Sequence, residues 1–226
     1  MKNLIGIIGL KKIFFSLMTI AAVGALLGTG VHALFSDTET STASFTAGTL
    51  NLQVGTADPS TEAILISNLK PTDTGTAATW LTSNIGSING TLDITLSAIT
   101  NNENGRSEVE IAAGDSTDAV LELGTLLKVA FWMDINKDGT WSSGDYYLSS
   151  AGAKVSWVSG ATLPTAAYDI LNNYASKSYT NIQTVNGTAD AGNFRVDYNF
   201  PNGGSGDNVA QSDSCAFSLN FILSQQ

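Results

Sequence analysis

The segment Asp134-Ile135-Asn136-Lys137-Asp138-Gly139-Thr140-Trp141-Ser142-Ser143-Gly144-Asp145 carries the best-organised donor set in the chain. Its spacing, D-x-N-x-D-G with an acid at the twelfth position, is that of a calcium-binding loop. Asp134, Asn136 and Asp138 alternate, so their oxygens can converge. Gly139 permits the sharp turn, Thr140 offers its carbonyl, Ser142 a hydroxyl or a bound water, and Asp145 closes the shell. Ca²⁺ takes roughly six to eight hard oxygens, which this loop can supply. The ion would be structural, pinning a long loop in a domain without disulfides. Two features depart from an EF-hand. The flanks, Val129 to Met133 and Tyr146 to Leu148, read as strands, and the twelfth residue is Asp where Glu is usual. A bare hairpin with an Asp-Gly turn is the plain alternative, although such a turn does not require Asp145.

Other chemistry is poorly supplied. The only histidine, His32, lies in an apolar leader. Without it the chain has no imidazole for acid–base work, a Ser-His-Asp triad or a His-ligated zinc. The only cysteine, Cys215, sits on the apolar face of an alternating run, where nothing nearby in sequence would lower its pKa. Gly203-Gly204-Ser205-Gly206 reads as a turn, and no carboxylate pair stands out for glycoside hydrolysis. The expectation is therefore a non-enzyme. Asn89-Gly90-Thr91 and Asn186-Gly187-Thr188 are sequons for N-glycosylation on turns.

Antiparallel strands must position these groups. Leu50, Leu52 and Val54 alternate with polar residues; so do Leu92, Ile94 and Leu96, and Phe194, Val196, Tyr198 and Phe200. Val129, Phe131 and Met133 form another set, Val155 and Trp157 a short one, and Cys215, Phe217, Leu219, Phe221 and Leu223 a long one. Period-two alternation bounded by Gly, Asn, Asp and Pro predicts an all-β antiparallel β-sandwich with one wet face per sheet. One or two short helices are expected in connections, at Asp115 to Leu127 and Pro164 to Tyr174, with Pro164 in a first turn. Hydrophobic residues at 43% permit a real core.

The formal net charge is -10. Three of the ten basic residues, Lys2, Lys11 and Lys12, lie in the leader. The remainder holds seven bases against twenty acids, a net of -13. Nucleic acid and anionic membrane surfaces are excluded as partners by the missing basic footprint.

Residues 1–12 are basic, Ile13 to Gly30 is apolar or small, and Val31-His32-Ala33 offers small residues where a signal peptidase reads. Cleavage between Ala33 and Leu34 is expected, so the chain meets a membrane only through the leader before it is cut. A retained membrane anchor and a type IV pilin leader cut near Gly9 or Lys12 are the alternatives.

Leu34-Phe35-Ser36-Asp37-Thr38-Glu39, then Ser44-Phe45-Thr46-Ala47-Gly48-Thr49-Leu50-Asn51-Leu52, and near the end Asp207-Asn208-Val209-Ala210-Gln211, resemble the TasA/camelysin family of biofilm-matrix proteins and their archaeal relatives, the bundling pili. The resemblance implies a jelly-roll-like sandwich that polymerises into an extracellular homopolymer by donor-strand complementation, with lateral bundling in the archaeal members. The donor would be the N-terminal segment Leu34, Phe35, Ser36, Asp37, Thr38, Glu39, Thr40, Ser41 and Thr42. Residues 1–33 would be the signal peptide, 34–45 the donor and 46–226 a single β-sandwich domain. Some camelysin relatives are named metallopeptidases. H-E-x-x-H is absent here, so that activity is not carried over. The competing expectation is a secreted or surface-bound adhesin or carbohydrate-binding module, for which Trp80, Trp132, Trp141, Trp157, Tyr146 and Tyr147 are candidates, although most of them are expected to pack the core or its rim.

Overall fold

The alternating runs become strands because each can bury one face and wet the other. The computed structural model describes residues 11–22, 47–58, 62–64, 69–115, 123–211 and 213–225. The chain divides into two compact units, Met1–Thr46 and Ala47–Gln226. In the first, residues 11–22 are helical (α1), with Ile13, Phe14, Phe15, Leu17, Met18 and Ile20 each at least 62% exposed. The expected cleavage site at Ala33 and Leu34 and the donor segment Leu34 to Thr42 lie outside the described residues.

The second unit is an all-β sandwich. Its strands are β1 (Leu52–Val54), β2 (Thr74–Asn84), β3 (Gly90–Leu96), β4 (Thr100–Asn102), β5 (Lys128–Asp134), β6 (Tyr146–Leu148), β7 (Lys154–Ser156), β8 (Asp169–Ile170), β9 (Ser178–Val185), β10 (Ala189–Asn199), β11 (Ser214–Ala216) and β12 (Leu219–Gln225). Two short helices, α2 (Glu108–Ala113) and α3 (Leu123–Leu126), occupy one connection. The larger sheet runs β1-β2-β10-β5-β6-β7, with β8 also on β5; the smaller runs β12-β3-β9, and β4 pairs β11. Every named pairing is antiparallel.

Both sheets face one core. Leu92, Ile94 and Leu96 of β3 are 0–3% exposed and share a cluster with Phe131, Met133, Phe194 and Val196 of the larger sheet. β5 is buried on both faces. Ala130 and Trp132, on its outer face, belong to a second cluster with Trp141, Tyr147 and Ala167. A β-bulge in β10 lets Gly192 (φ 136°) lie against the end of β5; a Cβ there would sit 2.7 Å from the Asp134 carbonyl oxygen.

The helical expectations need correction. Within Asp115 to Leu127 the described helix is only Leu123–Leu126, while α2 ends before Asp115, capped by Gly114. Pro164 to Tyr174 is two 3₁₀ turns, Thr165–Ala167 and Leu171–Tyr174, flanking β8, and Pro164 precedes the first turn. The pairing of Lys128 with Ile170 and the Leu171 N–H bond to the Leu127 carbonyl (2.9 Å) draw this segment onto the sheet edge and deny it a continuous helix.

Candidate functional site

The acidic loop spans the turn between β5 and β6. Asp134 ends β5, and Asp145 precedes β6; both are 0% exposed. Buried carboxylates need donors, and the loop's own main chain supplies them. Asp134 accepts from the N–H groups of Asp138 (3.2 Å) and Gly139 (2.9 Å). Asp145 accepts from Ile135 N–H (2.8 Å), Ser142 N–H (2.7 Å) and the Ser142 hydroxyl (3.3 Å). Gly139 takes φ 78° at the sharp turn, as its sequence position suggested.

The exposed half of the loop is also knitted together. Asp138 accepts from the Thr140 N–H (2.7 Å) and hydroxyl (2.6 Å), which hold its carboxyl below the usual carboxylate range. The Asn136 carboxamide oxygen accepts from the Asp138 N–H (3.3 Å), while its Nδ2 donates to Asp138 Oδ2 (2.8 Å) and Ser142 Oγ (3.0 Å). All six predicted ligand residues therefore belong to one hydrogen-bonded unit. A donor group, the Asn136 amide, stands among acceptors where a cation would stand. Lys137 ties the loop to β10 through Asp190 at 2.6 Å.

Among the described residues, the one group of three acids with oxygens all within 4.8 Å of one another is Glu103, Glu110 and Asp213. The loop's three aspartates are held more openly than that. The sequence does not single out this triad, because pairing of β4 with β11 (Asn102 with Ser214) brings its distant members together. Glu110 is spent as the capping-box partner of Ser107.

A second feature is a cleft of about 770 Å³ between the outer edges of the two sheets, its lining mixed: Leu52, Val54, Trp80, Cys215, Phe217, Leu219 and Phe221 are joined by Asp58, Glu62, Ser218 and Asn220. Among the described residues β12 pairs only with β3, and β1 only with β2. The inward residues of β12, Leu219, Phe221 and Leu223, are half-buried, although their neighbours on β3 are fully covered. Burial, reinforced by Asp213, pushes the Cys215 thiol up to about 11.

A sequence model of the camelysin metallo-endopeptidase family matches residues 10–226. The chain belongs to the TasA/camelysin family. No curated protein matches it. The peptidase in the camelysin name implies a catalytic metal, and this chain's residues do not fit an H-E-x-x-H zinc centre. H-E-x-x-H needs two histidines, and His32 is the only one in the sequence. Glu103, Glu110 and Asp213 offer carboxylate oxygen alone, one of them already committed to a helix cap.

Other expected sites fare differently. Asn89 and Asn186 are exposed on turns. The aromatic binding face fails: Trp80, Trp132, Trp141, Tyr146 and Tyr147 are 1–9% exposed and pack the two cores, leaving Trp157 half-buried. Among the described residues no helix is long and apolar enough to cross a membrane.

Proposed function

We propose that this TasA/camelysin protein is the repeating structural subunit of an extracellular filament, joined head-to-tail by the N-terminal segment of one copy entering the cleft of the next. The observation that carries the reading is the half-covered apolar face of β12, beside the edges of β1 and β12 that pair with no further strand among the described residues. An open edge with apolar side chains beneath it lacks a strand. An added strand forms main-chain hydrogen bonds of about 0.5–1.5 kcal/mol each and buries apolar surface at about 25 cal/mol per Å².

Leu34 and Phe35 supply the apolar end of the donor, and the β-branched polar run that follows suits edge pairing. The contact joins two different surfaces head to tail, and such a heterologous contact builds a fibre where its rotation does not close into a ring. The reading takes residues 1–33 as an export leader, 34–45 as donor and 46–226 as the sandwich. It assigns no catalysis. The buried aromatics weigh against a glycan-binding module.

Electron microscopy of the processed protein, beside a version lacking residues 34–45, tests this. Filaments from the first and discrete particles from the second are expected. Filaments from the truncated chain would overturn the donor assignment.

A second reading concerns the loop. Asp134, Asn136, Asp138, Thr140, Ser142 and Asp145 would take a structural Ca²⁺, with the Asn136 amide turning so that its oxygen replaces its nitrogen. Support comes from the two buried carboxylates and the clustered oxygens around that amide.

A further inference from the structure

The sequons Asn89-Gly90-Thr91 and Asn186-Gly187-Thr188 lie far apart in the chain, but the fold sets them side by side. The turn joining β2 to β3 packs on the turn joining β9 to β10. Gly187 N–H donates to Asn89 Oδ1 (3.1 Å), and Thr188 N–H donates to the Gly86 carbonyl (2.9 Å). A Cβ on Gly187 would lie 2.6 Å from the Ser87 carbonyl carbon, so the glycine of the second sequon is what permits the contact. The chain enters the sandwich at the same pole. Ser87 N–H donates to the Thr49 carbonyl (2.7 Å), and Thr49 N–H donates to Ser87 Oγ (2.9 Å).

Some asparagines of the sandwich engage their side-chain nitrogens. Nδ2 of Asn84 donates to the Ile88 carbonyl (2.7 Å), that of Asn101 to Asn172 Oδ1 (3.1 Å), and that of Asn173 to Asp169 (3.0 Å). Asn89 uses its amide oxygen, as the acceptor of the Gly187 N–H. Asn186 makes no side-chain hydrogen bond among the described residues. Both residues are exposed, and among the described residues neither Nδ2 has a hydrogen-bond partner.

We propose that Asn89 and Asn186 both carry N-linked glycans, giving the sandwich one sugar-bearing pole where the chain enters it. The sugar donor is a lipid-phosphate-linked oligosaccharide. Asn Nδ2 attacks the anomeric carbon; the N–C bond forms as the C–O bond to phosphate breaks. The lipid phosphate leaves with the electron pair, and Nδ2 gives up one of its two hydrogens to the transferase's base. The product keeps Oδ1 as an acceptor, so the Gly187–Asn89 bond survives modification. Thr91 and Thr188 supply the hydroxyl that completes each acceptor motif. The inference stands apart from the filament reading, because exposure and unpartnered nitrogens are properties of the single chain.

Native protein taken from the producing cells decides it by intact-mass measurement and peptide mapping. The tryptic peptide Ser178–Arg195 and a peptide spanning Asn89 should each run heavier than polypeptide and return to polypeptide mass on chemical deglycosylation. Asn89→Gln and Asn186→Gln, expressed in the same cells, should each remove one glycan. Polypeptide mass at both sites overturns the proposal, and modification at one site alone overturns the pairing.

Discussion

Phe221 of β12 stands edge-on to Phe194 of β10, with ring centroids 5.0 Å apart and planes at 88°. Phe194 is 1% exposed, whereas Phe221 is only partly buried and lines the cleft. One ring thus belongs to the core and to the proposed docking surface. Phe221→Ala should cost about 2–3 kcal/mol in urea unfolding, less than a fully enclosed Phe, because one side of the ring has no partner. Folded Phe221→Ala protein should also fail to form filaments. Ile222→Ala, on the outward face, should change stability by less than about 0.5 kcal/mol and leave assembly intact. Normal filaments from Phe221→Ala would remove the cleft from the assembly reading.

Cys215 reports on the same cleft. Its thiol, raised to about 11, is scarcely ionised at neutral pH. Alkylation of the free subunit should therefore be slow at pH 7 and speed up about tenfold per pH unit toward pH 10. In filaments the thiol should be protected at every pH. Because Cys215 is the only cysteine, Phe35→Cys should give a disulfide ladder between copies. Equal labelling in both states and the absence of a ladder would exclude this wall of the cleft.

Calcium should raise the melting temperature, and a chelator should lower it again. At a hundredfold excess over Kd the stabilisation is about 2.7 kcal/mol. Asp134→Asn and Asp145→Asn should abolish that response. Each should also cost about 1–3 kcal/mol without calcium, since each carboxylate anchors two main-chain N–H groups. No thermal shift at millimolar Ca²⁺ would leave the loop a self-bonded turn.

Tyr146 is 1% exposed, and its hydroxyl has no hydrogen-bond partner among the described residues. Burial pushes the phenol well above its ordinary range. An unsatisfied buried hydroxyl costs about 1–3 kcal/mol. Tyr146→Phe should therefore match or exceed the parent stability by about 1 kcal/mol, while keeping the ring under Lys154, whose Nζ lies 4.0 Å from the centroid. A loss above 1 kcal/mol in chemical unfolding would contradict this.

Asp169 sets a pH dependence. Burial raises its pKa, but bonds from the Ser150 hydroxyl, the Ile170 N–H and Asn173 outweigh this and hold it below the carboxylate norm. Its contribution is present above the unfolded pKa, about 4, and is lost as pH falls through the lower folded value. Asp169→Asn should cost about 1 kcal/mol at pH 6, after allowance for solvent screening. The gap to the parent should shrink below pH 4. A gap that widened in acid would reverse the assignment.

The strands most legible in sequence are those with one wet face and large inward side chains: β3, β10 and β12. β2 escapes because its buried positions include Ala78 and Thr82, and only the Thr82 hydroxyl bond to the Gly192 carbonyl (2.9 Å) makes threonine at home there. β9 escapes because Asn181 takes φ 54° at a register shift, so Tyr179, Ile182 and Val185 fall three apart. That spacing reads as helix or as nothing. The loop was legible because its ligands are contiguous. The cleft and the Glu103–Glu110–Asp213 triad were not, since each depends on strands distant in sequence. That the aromatics pack was legible; that Trp132, Trp141 and Tyr147 form a second core on the outer face of β5 was not, because a period-two pattern assigns each strand one buried face.

The unpaired edge of β12 and the chain's entry beside Ser87 are different parts of one subunit, so a stack of copies would have two unlike tips. One tip would present a vacant acceptor and the other a donor with nothing to enter. Growth would be directional. A copy stripped of residues 34–45 could still receive an incoming strand but never pass one on, making it a terminator for one tip alone. Trace amounts would then set fibre length without altering the fibre's interior.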